Sequence, residues 1–199
     1  MTERSAYPAA GVLRVGMLAV GLLVAGCSVQ SVKDDGARPP SARITAAKVA
    51  ATYPGPDDWH RLALYGDWDF VDTSAWRAIV TRPDCDRATA LAVFWKASPE
   101  YYVQFTDPGA IPAVNRDDYD LINLIRERWH GGGYTRAELA FDPDTDVWPV
   151  DLTDLRRRYG TRVDQFLPPD MRVRVVGRRL DAPGFQPPGV QAPHVQRSD

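Results

Sequence analysis

The distribution of apolar residues divides the chain into a central region with helical periodicity and two ends without it. Between about residues 57 and 158, apolar side chains recur at positions i, i+3 and i+4, the spacing of one face of an α-helix. Helices are predicted over about 57–65, 72–82, 86–97, 117–130 and 152–158, with a weak further helix over 41–52. Their predicted N-caps include Asp57 or Asp58, Asp72 or Thr73, Asp86 and Ser41.

The segment 86–97 differs from the other helical segments because it is apolar on every side. Eight of the ten residues Ala88–Ala97 are apolar, and a helix of this kind belongs in the centre of a domain. Pro99 follows and is predicted to end the helix. The predicted fold is therefore mainly α, a compact bundle of about five short helices around helix 86–97.

Two short runs are candidate β-strands, Tyr101–Phe105 and the alternating run Met171–Val176. A small hairpin or strand pair is therefore an open alternative within the mainly helical fold. The domain itself is predicted to span 57–181. Residues 27–56, rich in Ser, Ala, Gly and Pro, are predicted to be a flexible tether, and the Pro-rich segment 182–199 a disordered tail.

The first residues have the pattern of a secretory signal peptide. Arg4 and Arg14 provide positive charge, and the apolar run Val15–Ala25 is shorter than the roughly 20 residues that span a bilayer. The run ends in LVAGC, with small residues before Cys27. The N-terminus is therefore predicted to be a cleavable signal peptide.

The LVAGC sequence resembles the bacterial lipobox. The resemblance implies cleavage between Gly26 and Cys27, attachment of diacylglycerol to Cys27 Sγ, and anchoring of the protein to a membrane by its acyl chains. Ser28 is not the Asp associated with retention in the inner membrane. The resemblance thus favours the outer membrane, facing the periplasm, if the host is Gram-negative. The alternative is an ordinary secretory signal with a chance cysteine.

Composition and charge restrict the classes of function. The chain has 199 residues and a formal net charge of −2, so its overall charge gives no reason to expect nucleic-acid binding. Once Cys27 carries lipid, Cys85 has no disulfide partner and is expected to be a small structural residue. The three histidines share no metal-binding spacing, and we expect no cofactor.

Two motifs have both a chemical and a structural interpretation. The HGGG sequence at 130–133 matches an oxyanion-hole motif, but the chain lacks the G-x-S-x-G elbow, so a helix C-terminus is expected. Asp142, Asp144 and Asp146 alternate as in a calcium loop, which would also need Gly at 147 and Glu at 153. A solvated acidic turn is expected, with a weak calcium site as the alternative. No catalytic residue is predicted.

Aromatic and arginine side chains provide the candidates for an interaction surface. Four of the six tryptophans fall on apolar helical faces, whereas the other two lie in connecting segments. Two tyrosines follow Pro99, and the segment 154–181 holds an excess of arginine. The predicted contact residues are Trp68, Tyr101, Tyr102, Trp148, Arg156 and Arg157.

The sequences GDWDF and PDCDRATALAVFWKA resemble the core of the bacterial family named domain of unknown function 4274. The resemblance covers about Asp57–Tyr102, with Asp67 where Asn is typical. The matching positions are Trp68, Asp69, Pro83, Cys85, Asp86, Ala90, Leu91, Phe94 and Trp95. The resemblance implies a helical domain without an established activity, and some members resemble immunity proteins of bacterial competition systems.

Three classes of function follow from these observations. A lipid-anchored protein with a non-catalytic, protein-binding domain is the preferred hypothesis, with an unknown protein partner such as a toxin. An envelope lipoprotein that contacts peptidoglycan or an assembly complex through its Arg-rich region is the alternative. A hydrolase that uses carboxylates or Cys85 is the third hypothesis.

Overall fold

The structure is a computed structural model in which residues 43–182 are described. This part of the chain contains eight α-helices, four short 3-10 helices and no β-sheet. The predicted mainly α fold is confirmed. The α-helices are α1 (Ala46–Thr52), α2 (Pro56–Tyr65), α3 (Thr73–Val80), α4 (Arg87–Lys96), α5 (Pro99–Tyr102), α6 (Arg116–His130), α7 (Leu152–Tyr159) and α8 (Arg162–Phe166).

The predicted signal peptide, the lipidation site at Cys27 and the tail from residue 183 onward lie outside the described residues. Within 43–182, no helix has the length and apolarity that crossing a bilayer requires.

Helix α4 is the central helix, as its apolar circumference predicts. It contacts α2, α3, α5 and α6, and all of its residues from Ala88 to Trp95 are buried. Asp86 caps its start, where Oδ1 accepts the Ala88 N–H at 2.9 Å. The helix is therefore the common packing surface of the domain.

The neighbouring helices turn their apolar faces toward this core. The periodic residues of α2, α3 and α6 are the ones that become buried, which is the reason these amphipathic segments fold as helices. They are Trp59, Leu62 and Ala63 of α2, Trp76, Ile79 and Val80 of α3, and Leu121, Ile122, Ile125 and Trp129 of α6.

Helix α2 begins differently from the prediction. Gly55 is its N-cap and Pro56 its first residue, so the predicted caps Asp57 and Asp58 lie in the first turn. Proline suits this position because its missing N–H would have no helical partner there. The two carboxylates still favour the helix through its dipole.

The packed region begins before the predicted domain start at Asp57. Ile44 is fully buried, its N–H donates to Phe70 O at 2.7 Å, and its carbonyl accepts the Asp72 N–H at 2.9 Å. Helix α1, which Thr45 caps in place of the predicted Ser41, then packs on α3. The predicted tether over 27–56 is therefore too long, because its last part belongs to the core.

The candidate strand Tyr101–Phe105 does not form. Helix α4 ends at Lys96, before Pro99. Pro99 is the first residue of the short helix α5, which contains Tyr101 and Tyr102. Proline fixes φ at a helical value and is well accommodated at this position. The aromatic residues therefore continue a helical path after the turn at Ser98.

The candidate strand Met171–Val176 does not form either, since only one of its residues pairs with another segment. Val175 exchanges two backbone hydrogen bonds with Phe141, of 2.8 and 3.0 Å. The next contact is a single bridge between Leu139 and Arg178. Gly177 lies between them, and a Cβ there would be 2.5 Å from Leu139 O, so the close backbone approach requires glycine.

Candidate functional site

A cleft of about 560 Å³ lies beside the C-terminal end of α4. It combines residues from three parts of the chain: the turn after α2, the α4–α5 junction and the loop before α7. We call it the tryptophan cleft because three of the six tryptophans line it. Its lining residues are Asp67, Trp68, Trp95, Lys96, Ser98, Glu100, Thr145, Asp146, Val147, Trp148 and Val150.

Lys96 fixes one side of the cleft to the end of α2. Its ammonium donates to Leu64 O at 2.8 Å and to Gly66 O at 2.9 Å, carbonyls that have no partner inside the helix. Burial lowers the pKa of Lys96 to about 8, and the nearby Asp67 carboxylate opposes this shift. Lys96 is therefore a cation at neutral pH whose role in this structure is to hold α2 against α4.

The α4–α5 junction places a carboxylate in the cleft through a strained residue. Ser98 has φ 53° and ψ 59°, a left-handed conformation that is uncommon for a residue other than glycine. Pro99 disfavours the right-handed helical conformation at Ser98, so the chain leaves α4 there and restarts as α5. Strained residues of this kind cluster at ligand-binding sites.

Glu100, two residues after Ser98, has an unsatisfied oxygen. Its Oε2 atom is shielded from solvent and has no hydrogen-bond partner within residues 43–182. Burial raises the pKa of the Glu100 carboxyl, because the charged form loses hydration. A buried acceptor without a donor is costly, so the Glu100 carboxyl is an unusual polar group in the wall of the cleft.

The tryptophans of the cleft differ in how firmly they are held. Trp68 stacks on the buried Trp76, with ring centroids 5.3 Å apart and an interplanar angle of 13°. The Trp95 indole N–H donates to Met171 O at 2.8 Å. Trp148, in contrast, has 90% of its surface exposed. The cleft thus has two fixed aromatic walls and one ring that is open to solvent.

The acidic turn 142–146 is folded on itself. Asp142 Oδ1 accepts the Asp144 N–H at 3.1 Å, and Asp146 Oδ2 accepts the Asp142 N–H at 2.7 Å. Asp146 also forms an ion pair with Arg179. In the described part of the chain no three His, Cys, Asp or Glu side chains are grouped to hold a metal ion. The calcium alternative for Asp142, Asp144 and Asp146 therefore has no support, and the turn interpretation accounts for their contacts.

The two predicted tyrosine contacts have different positions. Tyr102 is buried, donates from its hydroxyl to Asn115 O at 3.1 Å, and packs in an aromatic cluster with Tyr119 and Phe166. Tyr102 is therefore a core residue, and its prediction as a surface contact is wrong. Tyr101 is exposed and packs edge-on against Tyr102 and Phe105, outside the cleft lining.

The predicted arginine contacts each form an ion pair with a neighbouring carboxylate, which a second arginine shares. Arg156 pairs with Asp164 at 2.9 Å, and Arg157 pairs with Asp154. Asp164 also pairs with Arg172. Both Arg156 and Arg157 are exposed and far in sequence from the cleft residues of α4 and α5. Arg156 and Arg157 therefore do not form a patch of unpaired positive charges on the surface.

The buried polar groups near the start of α4 have structural partners. His60 Nε2 lies 3.1 Å from Ala140 O, which can only accept, so Nε2 carries the proton and Nδ1 accepts from the Thr89 hydroxyl at 3.0 Å. Burial lowers the pKa of His60. Cys85 is fully buried, and burial raises the pKa of its thiol to about 12, which disfavours the reactive thiolate. These contacts give no support to a thiol–imidazole pair.

The HGGG sequence ends a helix, as its structural interpretation predicts. The Gly131 and Gly133 N–H groups donate to Glu127 O and Arg128 O, and Gly132 has φ 68°, a value that favours glycine. His130 is exposed at the same helix end.

The sequence pattern identified two of the contact residues in the cleft but not the polar residues of the α4–α5 junction. Trp68 and Trp148 were predicted as contact residues because they lie between helices, and the fold brings them to one cleft. Lys96, Ser98 and Glu100 were not predicted. The signal that was present is a lysine that closes an otherwise apolar helix, directly before the Ser–Pro turn.

The cleft lies mostly within a region that matches a known family. Residues 55–130 match the model of the family described as Domain of unknown function (DUF4274). The match confirms the resemblance predicted from the GDWDF and PDCDRATALAVFWKA sequences and extends it through α6. The loop that carries Trp148 lies outside the matched residues. No curated protein and no solved structure matches the chain significantly.

Proposed function

We propose that the protein is a lipoprotein, anchored through Cys27 to the outer membrane of a Gram-negative host, whose helical domain binds another protein at the tryptophan cleft. The carrying observation is Trp148, a large aromatic ring with 90% of its surface exposed above a cleft walled by Trp68 and Trp95. Exposed aromatic side chains beside pockets are typical of binding hot spots. The proposed role is non-catalytic, for example neutralisation of a toxin that acts at the envelope.

The polar groups of the cleft support binding in preference to chemistry. The Lys96 ammonium is occupied by two backbone carbonyls. Cys85 does not line the cleft and is buried before the start of α4, with a thiol that does not ionise at neutral pH. The arginine-mediated envelope role has less support, because Arg156 and Arg157 are paired with Asp164 and Asp154.

Trp148→Ala is expected to remove the partner from the lipoprotein without changing the stability of the domain. Truncation of an aromatic hot spot weakens binding by about 2 kcal/mol or more, whereas an exposed side chain contributes little to folding. The measurement is co-purification of the tagged lipoprotein from its own host in mild detergent. The native protein should recover a partner in stoichiometric amount.

Val176→Ala is the matched control, because Val176 is also an exposed apolar residue, at 75% exposure, outside the cleft lining. It should keep the partner. Equal recovery with Trp148→Ala and Val176→Ala would refute the cleft as the binding surface.

A further inference from the structure

The carboxylates of the tryptophan cleft indicate the charge of its ligand. Asp67, Glu100 and Asp146 line the cleft together with one ammonium, that of Lys96. Asp67 accepts the Asp69 N–H at 3.0 Å, and Asp146 is paired with Arg179. Within residues 43–182, Glu100 forms no ion pair, and its Oε2 atom has no hydrogen-bond partner. Three carboxylates thus face two cations, Lys96 and Arg179, and Glu100 lacks an ion-pair partner in this part of the chain, so the cleft favours a positively charged donor.

The aromatic walls restrict the chemistry of that donor further. A guanidinium stacks on aromatic rings and donates to a carboxylate through a planar pair of N–H groups, which an ammonium cannot do in the same geometry. Arginine stacks on tryptophan at two other places in the fold: Arg82 lies 4.6 Å from the Trp59 ring centroid, and Arg87 lies 4.1 Å from the Trp129 ring centroid. Within the cleft, Trp148 is the exposed ring available for such stacking.

The geometry points to an arginine side chain of the partner protein, inserted between Trp68 and Trp148 with its guanidinium on the Glu100 carboxylate. This inference rests on the proposed function and adds the chemistry of the partner to it. Lys96 does not compete for Glu100, because its ammonium is held by Leu64 O and Gly66 O.

The test uses an acetylated and amidated alanine–arginine–alanine tripeptide, with norleucine in place of arginine as the uncharged control. The mature lipoprotein is labelled with 5-fluorotryptophan and held in zwitterionic nanodiscs. The ¹⁹F signals of Trp68 and Trp148, assigned with tryptophan-to-phenylalanine variants, are followed during titration. The arginine peptide should shift both signals to saturation, with a dissociation constant about tenfold or more below that of the norleucine peptide.

Glu100→Gln is the decisive variant, since it removes the charge and keeps the shape. It should weaken the arginine peptide by about tenfold, whereas Glu127→Gln, a change at an exposed position of α6, should leave binding within about twofold. The ¹⁹F signals of the buried Trp76 and Trp129 report whether each variant is folded. If Glu100→Gln does not fold, Trp148→Ala becomes the test variant, because the exposed Trp148 side chain is not needed for folding. Trp148→Ala should also weaken binding of the arginine peptide about tenfold.

Equal binding of the arginine and norleucine peptides would overturn the inference. Unchanged affinity of Glu100→Gln for the arginine peptide would also overturn it, as would unchanged affinity of Trp148→Ala if Glu100→Gln does not fold. Failure here is distinguishable from failure of the proposed function. A partner that is lost from Trp148→Ala in co-purification would keep the cleft as the binding surface even if the arginine peptide did not bind.

Discussion

Asp86→Ala is expected to lower the free energy of unfolding by about 3 to 5 kcal/mol, the largest stability effect of any substitution considered. The Asp86 side chain is fully buried. Its Oδ1 atom accepts the Ala88 N–H at 2.9 Å, and its Oδ2 atom accepts the N–H groups of Glu138 and Leu139 at 2.8 and 3.3 Å. Alanine would leave all three donors without a partner in the interior.

The size of the effect comes from the position of Asp86 as well as from the number of its bonds. The residue caps the central helix and at the same time holds the segment that follows α6, where Arg136 Nε lies 3.8 Å from its Oδ2. Asp86→Asn should recover only part of the loss. The asparagine carbonyl oxygen can replace one carboxylate oxygen as an acceptor. The asparagine NH₂ group replaces the other oxygen, and it faces a backbone N–H that is itself a donor.

Asp84→Ala is the control, because the Asp84 side chain is half-buried and pairs with Arg82 on the surface at 3.0 Å. An exposed ion pair contributes at most about 1 kcal/mol. Both variants are compared with the native protein by urea unfolding with unchanged m values. A loss in Asp86→Ala no larger than that in Asp84→Ala would contradict the structural role of Asp86.

Cys27→Ser is expected to remove the protein from the membrane fraction and to abolish labelling with radioactive palmitate. The effect should be complete, because serine lacks the thiol that the proposed lipidation would modify, and two or more acyl chains are what make anchoring stable. The measurement is fractionation of the host after metabolic labelling.

Cys85→Ala serves as the control, since Cys85 is fully buried and therefore inaccessible to acylation in the folded domain. Its label and its membrane fraction should equal those of the native protein. Label that survives in Cys27→Ser and disappears in Cys85→Ala would show that the lipobox assignment is wrong.

Most of the helical core could be predicted from the sequence because its signals are local. The spacing of Trp76, Ile79 and Val80 gives the buried face of α3, and a segment that is apolar on every side gives α4. Asp72 and Asp86 cap these two helices, as expected for aspartate directly before an apolar helix. Each signal spans only a few residues, so the tertiary fold is not needed to recognise it.

The errors arose where a local pattern had more than one physical solution. The aromatic residues after Pro99 suit a strand by propensity, but a proline at the first position also starts a helix, and packing of Tyr102 against Phe166 favours the helix. The alternation over 171–176 similarly looks like a strand. Only Val175 of this segment pairs with another part of the chain. Met171 is instead buried in the hydrophobic core.

The tryptophan cleft could be predicted only in part because three distant segments form it. Trp68 and Trp148 were recognisable, since a large apolar residue between helices needs either a core position or a partner. The role of Glu100 depends on the left-handed turn at Ser98 and on the loop carrying Trp148, which meet only in the folded chain. No spacing rule along the sequence connects these positions.

The most direct test of the cleft as the binding surface is site-specific photo-crosslinking in the host. A photoreactive phenylalanine derivative replaces Trp148 in one strain and Val176 in another, two exposed positions of which only the first lines the cleft. The predicted result is a single crosslinked partner from position 148 and none from position 176. A partner crosslinked from position 176 alone, or equally from both positions, would contradict it.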